Sequence, residues 1–206
     1  MAVSDQKIYL ASKSPRRREL LRQIGVEFEL LILREEAGRH GAVSEEPHTG
    51  EAPDIYVTRI AREKAQSGWE AVHWRKLPAR PVLAADTTVA LDGRILGKPA
   101  DATEAMQMLR SLSGRKHQVL TAVAVIANEQ LNEVLQRSEV RFADISEAAL
   151  KAYCATQEPY DKAGSYGVQG LAAQFIEHIS GSYTGIMGLP LFETSQLLKQ
   201  AGIKLL

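Results

Sequence analysis

Leu10-Ala11-Ser12-Lys13-Ser14-Pro15-Arg16-Arg17-Arg18 decides how this chain starts to fold. A short apolar strand, Lys7-Ile8-Tyr9-Leu10, runs into it. A helix with apolar residues Leu20, Leu21 and Ile24 leaves it. Ser14 suits the N-cap, because its hydroxyl accepts from an orphan N–H of the first turn. Pro15 suits the first helical position, where a missing N–H is harmless. Three arginines then crowd a helix end that already carries partial positive charge. The arrangement makes sense if an anion binds there: free N–H groups, serine hydroxyls and guanidinium forks all suit phosphate. The competing reading is a solvated basic turn.

Working outward, Gly25 stops the helix, and Val26 to Leu33 reads as a strand with Phe28, Leu30 and Ile32 on one face. Residues 34–53 hold five glutamates, three glycines and two prolines if Pro53 is counted. This polar stretch reads as a loop over a site rather than a linker, since nothing before it is large enough to fold alone. Pro53 starts a helix with Ile55, Ile60, Ala61 and Ala65 at apolar spacing and Val57 less well placed. Trp69 and Trp74 near its end read as core or interface anchors.

Pro81 to Asp86 is a buried-looking strand ending in a carboxylate, and Thr87 to Leu91 continues extended. Asp92-Gly93 is a two-residue hairpin signal, and Arg94-Ile95-Leu96 returns. Gly97-Lys98-Pro99 then breaks the structure. The hairpin holds Asp86 and Lys98 roughly level, a carboxylate beside an ammonium. Asp101 or Thr103 caps a helix with Ala105, Met106, Leu109 and Leu112 inward, closed by Ser113-Gly114. Strands His117 to Ala127 and Leu131 to Phe142 flank a turn near Asn128. His117, at a strand start without a nearby nucleophile, reads as structural. Ser146 opens a helix carrying Leu150, Tyr153 and Cys154. Between Glu158 and Gly170, three glycines at spacing three allow close approach of a ligand, and the Gln169 amide suits a base edge. A strand from Ala173 to Ile179 and a helix from Leu191 to Gln200 close the chain.

The 206 residues carry 25 Lys plus Arg and 25 Asp plus Glu, so any anion site is local, and no nucleic-acid track or stable nucleic-acid partner is expected. No apolar run approaches transmembrane length, and residues 1–7 lack a signal-peptide core; no membrane partner and a cytoplasmic location are expected. A lone cysteine, Cys154, leaves no cysteine-based zinc site. Walker, G-x-S-x-G and H-E-x-x-H motifs are missing. The remaining inventory fits metal-assisted attack of water on a phosphoanhydride.

Seven pieces, in order, carry a resemblance over nearly the full length. They are Leu10-Ala11-Ser12-x-Ser14-Pro15-Arg16-Arg17, Glu63-Lys64-Ala65, Ala85-Asp86-Thr87, Gly97-Lys98-Pro99, Leu112-Ser113-Gly114, Asp161-Lys162-Ala163-Gly164 and Gly188-Leu189-Pro190. The chain resembles the Maf family of nucleoside triphosphate pyrophosphatases. The resemblance implies an α/β fold of Maf/ITPase-like type, an elongated mixed β-sheet flanked by helices with a cleft between two lobes, in one domain spanning 1–206. It implies hydrolysis of a nucleoside triphosphate to monophosphate and pyrophosphate with a divalent cation, Mg²⁺ or Mn²⁺, in a homodimer. Asp86 matches the base that activates water; Ser12, Arg17, Lys64 and Lys98 match phosphate-contacting positions.

Three positions separate the branches of that family. Arg16, Thr87 and Gln169 match the branch acting on dTTP and UTP, where the 7-methyl-GTP branch carries Trp, Gln and Glu. One departure stands out: the family's Val-Asp-Glu after the second strand is here Val43-Ser44-Glu45. Glu45 is therefore the expected metal-site glutamate beside Asp86, with Glu46 next to it, and Glu35 and Glu36 are insertion residues. The alternative is a non-catalytic nucleotide-binding regulator of septum formation and cell division.

Overall fold

The computed structural model describes residues 6–33 and 43–206. The stretch holding Glu35 and Glu36 lies outside them. Strand β1 (Ile8–Leu10) enters helix α1 (Pro15–Gln23) through the Ser/Arg turn, and the Ser14 hydroxyl accepts from the Arg17 N–H at 3.5 Å. Past the last turn Gly25 takes φ +72°, its N–H returns to the Arg22 carbonyl and that of Val26 to Leu21. This left-handed cap favours a residue without Cβ, although Lys76 takes the same conformation at the end of the helix that finishes at Trp74.

The sheet is mixed. β1 lies between β2 (Phe28–Leu30) and β3 (Val82–Leu91), parallel to both. From β3 onward the pairing is antiparallel, through β5 (Lys116–Ala127) and β6 (Gln130–Phe142) to β7 (Ile176–Ser180). The short β4 (Arg94–Leu96) pairs only with β3, giving seven strands among the described residues. Asp92-Gly93 and Asn128-Glu129 turn the two hairpins, all four at positive φ as a two-residue turn matched to strand twist requires.

Helix α2 (Pro53–Trp74) covers one face of the sheet. Val57, Ile60, Ala61, Ala65 and Val72 are buried there against Val82 and Ala84. Helices α1 and α6 (Leu191–Gln200) cover the other face over Leu83, Ala85, Val123 and Val125. Helices α3 (Ala102–Leu112) and α4 (Glu147–Cys154) close a third cluster around Phe142, Tyr153 and Phe175, and Cys154 packs within it. The short α5 (Tyr183–Ile186) precedes α6. Among the described residues no helix is long and apolar enough to cross a membrane.

Three local expectations are corrected. The second strand ends at Leu30, and Leu30 and Ile32 are exposed while Leu31 is buried: the odd positions Leu31 and Leu33 pack on the α2 side, and on the opposite side only Phe28 is covered. In α2 it is Val57, not Ile55, that belongs to the apolar stripe, because 57, 60, 61, 65 and 72 follow the 3.6-residue repeat and Ile55 points to solvent. Trp69 packs on that core, whereas Trp74 is 72% exposed. The last strand starts at Ile176 rather than Ala173, because residues 171–175 form 3₁₀ turns whose N–H groups are engaged elsewhere.

Candidate active site

Strand β3 is buried at nine of its ten positions, and the exception is Thr87. Alternation along this strand sorts its side chains. Asp86 shares the face of Ala84, toward α2; Thr87 shares the face of Leu83 and Ala85, toward α1. Each helix answers with a cation. From α2, Lys64 Nζ lies 2.8 Å from Asp86 Oδ1 and 2.5 Å from Glu45 Oε1. From α1, the Arg17 guanidinium donates from Nε to the Gly188 carbonyl at 2.8 Å, from Nη1 to Ser12 Oγ at 3.2 Å and from Nη2 to Thr87 Oγ1 at 3.2 Å. Ser12 Oγ also accepts from the Ser14 N–H at 3.2 Å, so its own proton remains to donate.

All nine residues singled out from the sequence line one cleft of about 970 Å³: Ser12, Arg16, Arg17, Glu45, Lys64, Asp86, Thr87, Lys98 and Gln169. That volume is at the upper end of small-ligand sites. Lys98 is exposed at the rim and follows β4, whose ladder with β3 runs Leu91–Arg94 to Val89–Leu96. Gln169 is exposed on the wall and its amide bonds to none of the described residues.

The charges are arranged to hold negative groups. Burial alone would raise the Glu45 carboxyl, but the charge and hydrogen bond of Lys64, aided by Lys98 and Arg17, bring it below the ordinary carboxylate value. Burial lowers the Arg17 guanidinium from its usual value, and the Asp86 carboxylate opposes that shift. Burial, then the charges of Asp86 and Glu45, push the Tyr56 hydroxyl up, so it stays a proton donor and bonds the Glu45 carbonyl at 2.9 Å.

Glu45 and Asp86 reach the same ammonium, so their oxygens lie within reach of one cation. Two hard carboxylate oxygens facing an open cleft suit Mg²⁺, which takes one or two carboxylates and fills its shell with water and phosphate oxygens. An all-protein cage is not on offer: among the described residues no group of three or more His, Cys, Asp or Glu is placed to hold a metal.

Sequence reasoning missed the scaffold of the Gln169 wall. The Glu158 carboxylate accepts from the Leu171 N–H at 2.7 Å, the Ala172 N–H at 3.2 Å and the Tyr153 hydroxyl at 3.0 Å. It occupies the space a Cβ on Gly170 would need, and the Lys162 stem occupies that of Gly167. Gly164 is filled in the same way by the Val89 side chain, so all three evenly spaced glycines make room for the protein's own side chains, not for a ligand. Lys162 Nζ in turn donates to the Glu158 carbonyl at 2.7 Å. His117 stays outside the cleft: it is buried, its Nε2 lies 2.7 Å from the Tyr166 hydroxyl, and burial lowers its pKa to about 4.

The model of the Maf-like protein family matches residues 7–201. A dTTP/UTP pyrophosphatase of Aromatoleum aromaticum is 56% identical over 200 residues, covering 97% of both chains. One of Nitrosomonas europaea is 54% identical over 196 residues, covering 95% of both. Among solved structures, the Staphylococcus aureus Ham1 protein superposes with a TM-score of 0.50 at 15% identity, covering 95% of this chain and 99% of that one, a likeness of fold. With a family match across almost the whole chain and relatives above half identity over nearly their full length, the chain belongs to the Maf family.

Proposed function

We propose that the protein is a nucleoside triphosphate pyrophosphatase acting on dTTP and UTP, and on modified pyrimidine triphosphates, in clearing the nucleotide pool. The observation that carries this reading is the Asp86 carboxylate beside Lys64, in a cleft edged by Arg17, Ser12 and Lys98. The relatives named dTTP/UTP pyrophosphatase support the substrate class.

The triphosphate lies with its phosphates toward Ser12, Arg17, Lys64 and Lys98 and its base toward Arg16 and Gln169. Asp86 Oδ1 is engaged by Lys64, while among the described residues nothing bonds Oδ2, which is left to accept a proton from water. The water oxygen bonds the α-phosphorus, the bond from that phosphorus to the bridging oxygen breaks, and pyrophosphate leaves with its electron pair. Arg17, Lys64 and Lys98 neutralise the charge that develops. Glu45 and Asp86 would hold a divalent cation, Mg²⁺ or Mn²⁺, which polarises phosphate oxygens and lowers the pKa of bound water. A homodimer in the cytoplasm, each chain a single domain, completes the proposal.

The test is a panel of nucleoside triphosphates with Mg²⁺, read as pyrophosphate release, on wild type, Asp86→Asn and Gln169→Glu. Release from dTTP and UTP, lost in Asp86→Asn, is expected; Gln169→Glu should lose pyrimidine turnover. No release from any triphosphate, or full rate in Asp86→Asn, would overturn the assignment. Nucleotide binding without turnover would favour the non-catalytic regulator instead.

A further inference from the structure

Thr121 lies at the centre of β5, fully buried, and is paired in register with Thr87 of β3. Its hydroxyl donates to the Gly185 carbonyl at 2.8 Å. A hydroxyl has one proton, so Thr121 Oγ1 can only accept from its other partner, Thr87 Oγ1 at 2.9 Å. Thr87 therefore donates to Thr121, and its lone pairs are left to accept from Arg17 Nη2 at 3.2 Å. The proton direction is fixed along the whole chain: Arg17 to Thr87, Thr87 to Thr121, Thr121 to the Gly185 carbonyl. The same short helix α5 is followed by Gly188, whose carbonyl takes the Arg17 Nε–H at 2.8 Å. Two sides of the guanidinium are thus tied to residues 185–188, one directly and one through two threonines.

We infer that Thr121 is a positioning residue that, through Thr87, aims Arg17 at the triphosphate, so that Thr87 acts on phosphate binding rather than on the base. This rests on the phosphate-binding role of Arg17 proposed above. A buried threonine in a strand of valines and alanines otherwise serves as well as valine, and burying its hydroxyl is favourable only while both bonds are made.

The experiment measures binding of inorganic tripolyphosphate and of an α,β-methylene analogue of dTTP to wild type, Thr121→Val, Thr121→Ser and Thr87→Val. Thr121→Val should weaken both ligands about tenfold, the scale of one hydrogen bond to a charged group. Thr121→Ser should restore both. The double variant Thr87→Val/Thr121→Val should bind no worse than Thr87→Val alone, because both act along one path. Should Thr121→Val not fold, Thr87→Val alone carries the test, with the same tenfold loss of tripolyphosphate expected. Unchanged tripolyphosphate affinity with weakened analogue binding would place Thr87 on the base and overturn the inference, as would multiplying losses in the double variant. Because tripolyphosphate has no base and the analogue is not cleaved, these outcomes stand apart from whether any triphosphate is hydrolysed.

Discussion

Lys64 Nζ lies 2.8 Å from Asp86 Oδ1 and joins helix α2 to the middle of strand β3. The same ammonium meets Glu45, so a single cation keeps two carboxylates together. Replacing it with the neutral, similar-sized glutamine leaves those carboxylates facing each other and removes a charge from the proposed phosphate site. Lys64→Gln should lower kcat/KM for the triphosphate on the order of 100-fold or more. It should also cost about 2 kcal/mol of stability, since both partners of the lost pair are largely shielded. Steady-state kinetics and urea unfolding measure the two effects, and wild-type kcat/KM would refute the assigned role.

Arg59 clamps the segment that bears Glu45. Its Nε and Nη2 reach the two Glu51 oxygens at 2.7 and 2.8 Å, and Nη2 also reaches the Glu46 carbonyl at 3.1 Å. The hydrogen bond from Arg59 holds the Glu51 carboxyl down at about 2. A depressed carboxyl stabilises the clamp above its ordinary value near 4.5 and loses that contribution as pH falls toward 2. Glu51→Gln should loosen residues 43–52 at neutral pH. Limited proteolysis there should be faster, and the Mg²⁺ concentration giving half-maximal rate should rise on the order of tenfold, with kcat much less affected.

The Glu158 carboxylate is the acceptor for two backbone N–H groups just past Gln169. Glu158→Gln sets an amide NH₂ against those donors in one of its two orientations and removes the negative charge. The wall bearing Gln169 should shift, raising KM for dTTP and UTP severalfold. Tripolyphosphate, which has no base to read, should bind as before. Equal losses for both ligands would show that Glu158 serves the whole cleft.

His117 should mark the acid limb of the stability curve. Its pKa is about 4 in the fold against an ordinary 6.5, because burial disfavours the charged ring. Between those values the unfolded chain binds the extra proton, so stability falls as pH is lowered from 6.5 toward 4, by about 3 kcal/mol in total. His117→Gln keeps a polar partner for Tyr166 but does not titrate. Its unfolding free energy should change about 2 kcal/mol less than wild type between pH 6.5 and 5. Parallel curves would mean that His117 does not carry the effect.

What could be read in the sequence was what depends on near neighbours. Ser14-Pro15 fixes a helix start and Asp92-Gly93 a hairpin, because cap and turn chemistry act within four residues. Asp86 and Lys98 were paired from that hairpin alone. Thr121 and Glu158 gave no such signal: a threonine in a valine-rich strand looks like filler, and the backbone partners of the Glu158 carboxylate lie 13 and 14 residues away. The glycine spacing misled for the same reason. The close approach it permits is real, but the approaching groups are Val89, Lys162 and Glu158. Alternation puts Phe28, Leu30 and Ile32 on one face, but it does not say how far a helix covers that face, and Leu30 and Ile32 are exposed.

The bond from Arg17 to the Gly188 carbonyl joins residues 171 positions apart. During synthesis the Ser/Arg turn leaves the ribosome long before the carbonyl that seats its arginine. A nascent chain stopped short of Gly185 holds Ser12, Arg17, Lys64, Asp86 and Lys98, yet Arg17 has neither the Gly188 carbonyl nor the Gly185 end of its threonine path. Arg17 is therefore seated only once the late segment has docked, so the end of the chain completes a cleft begun at its start.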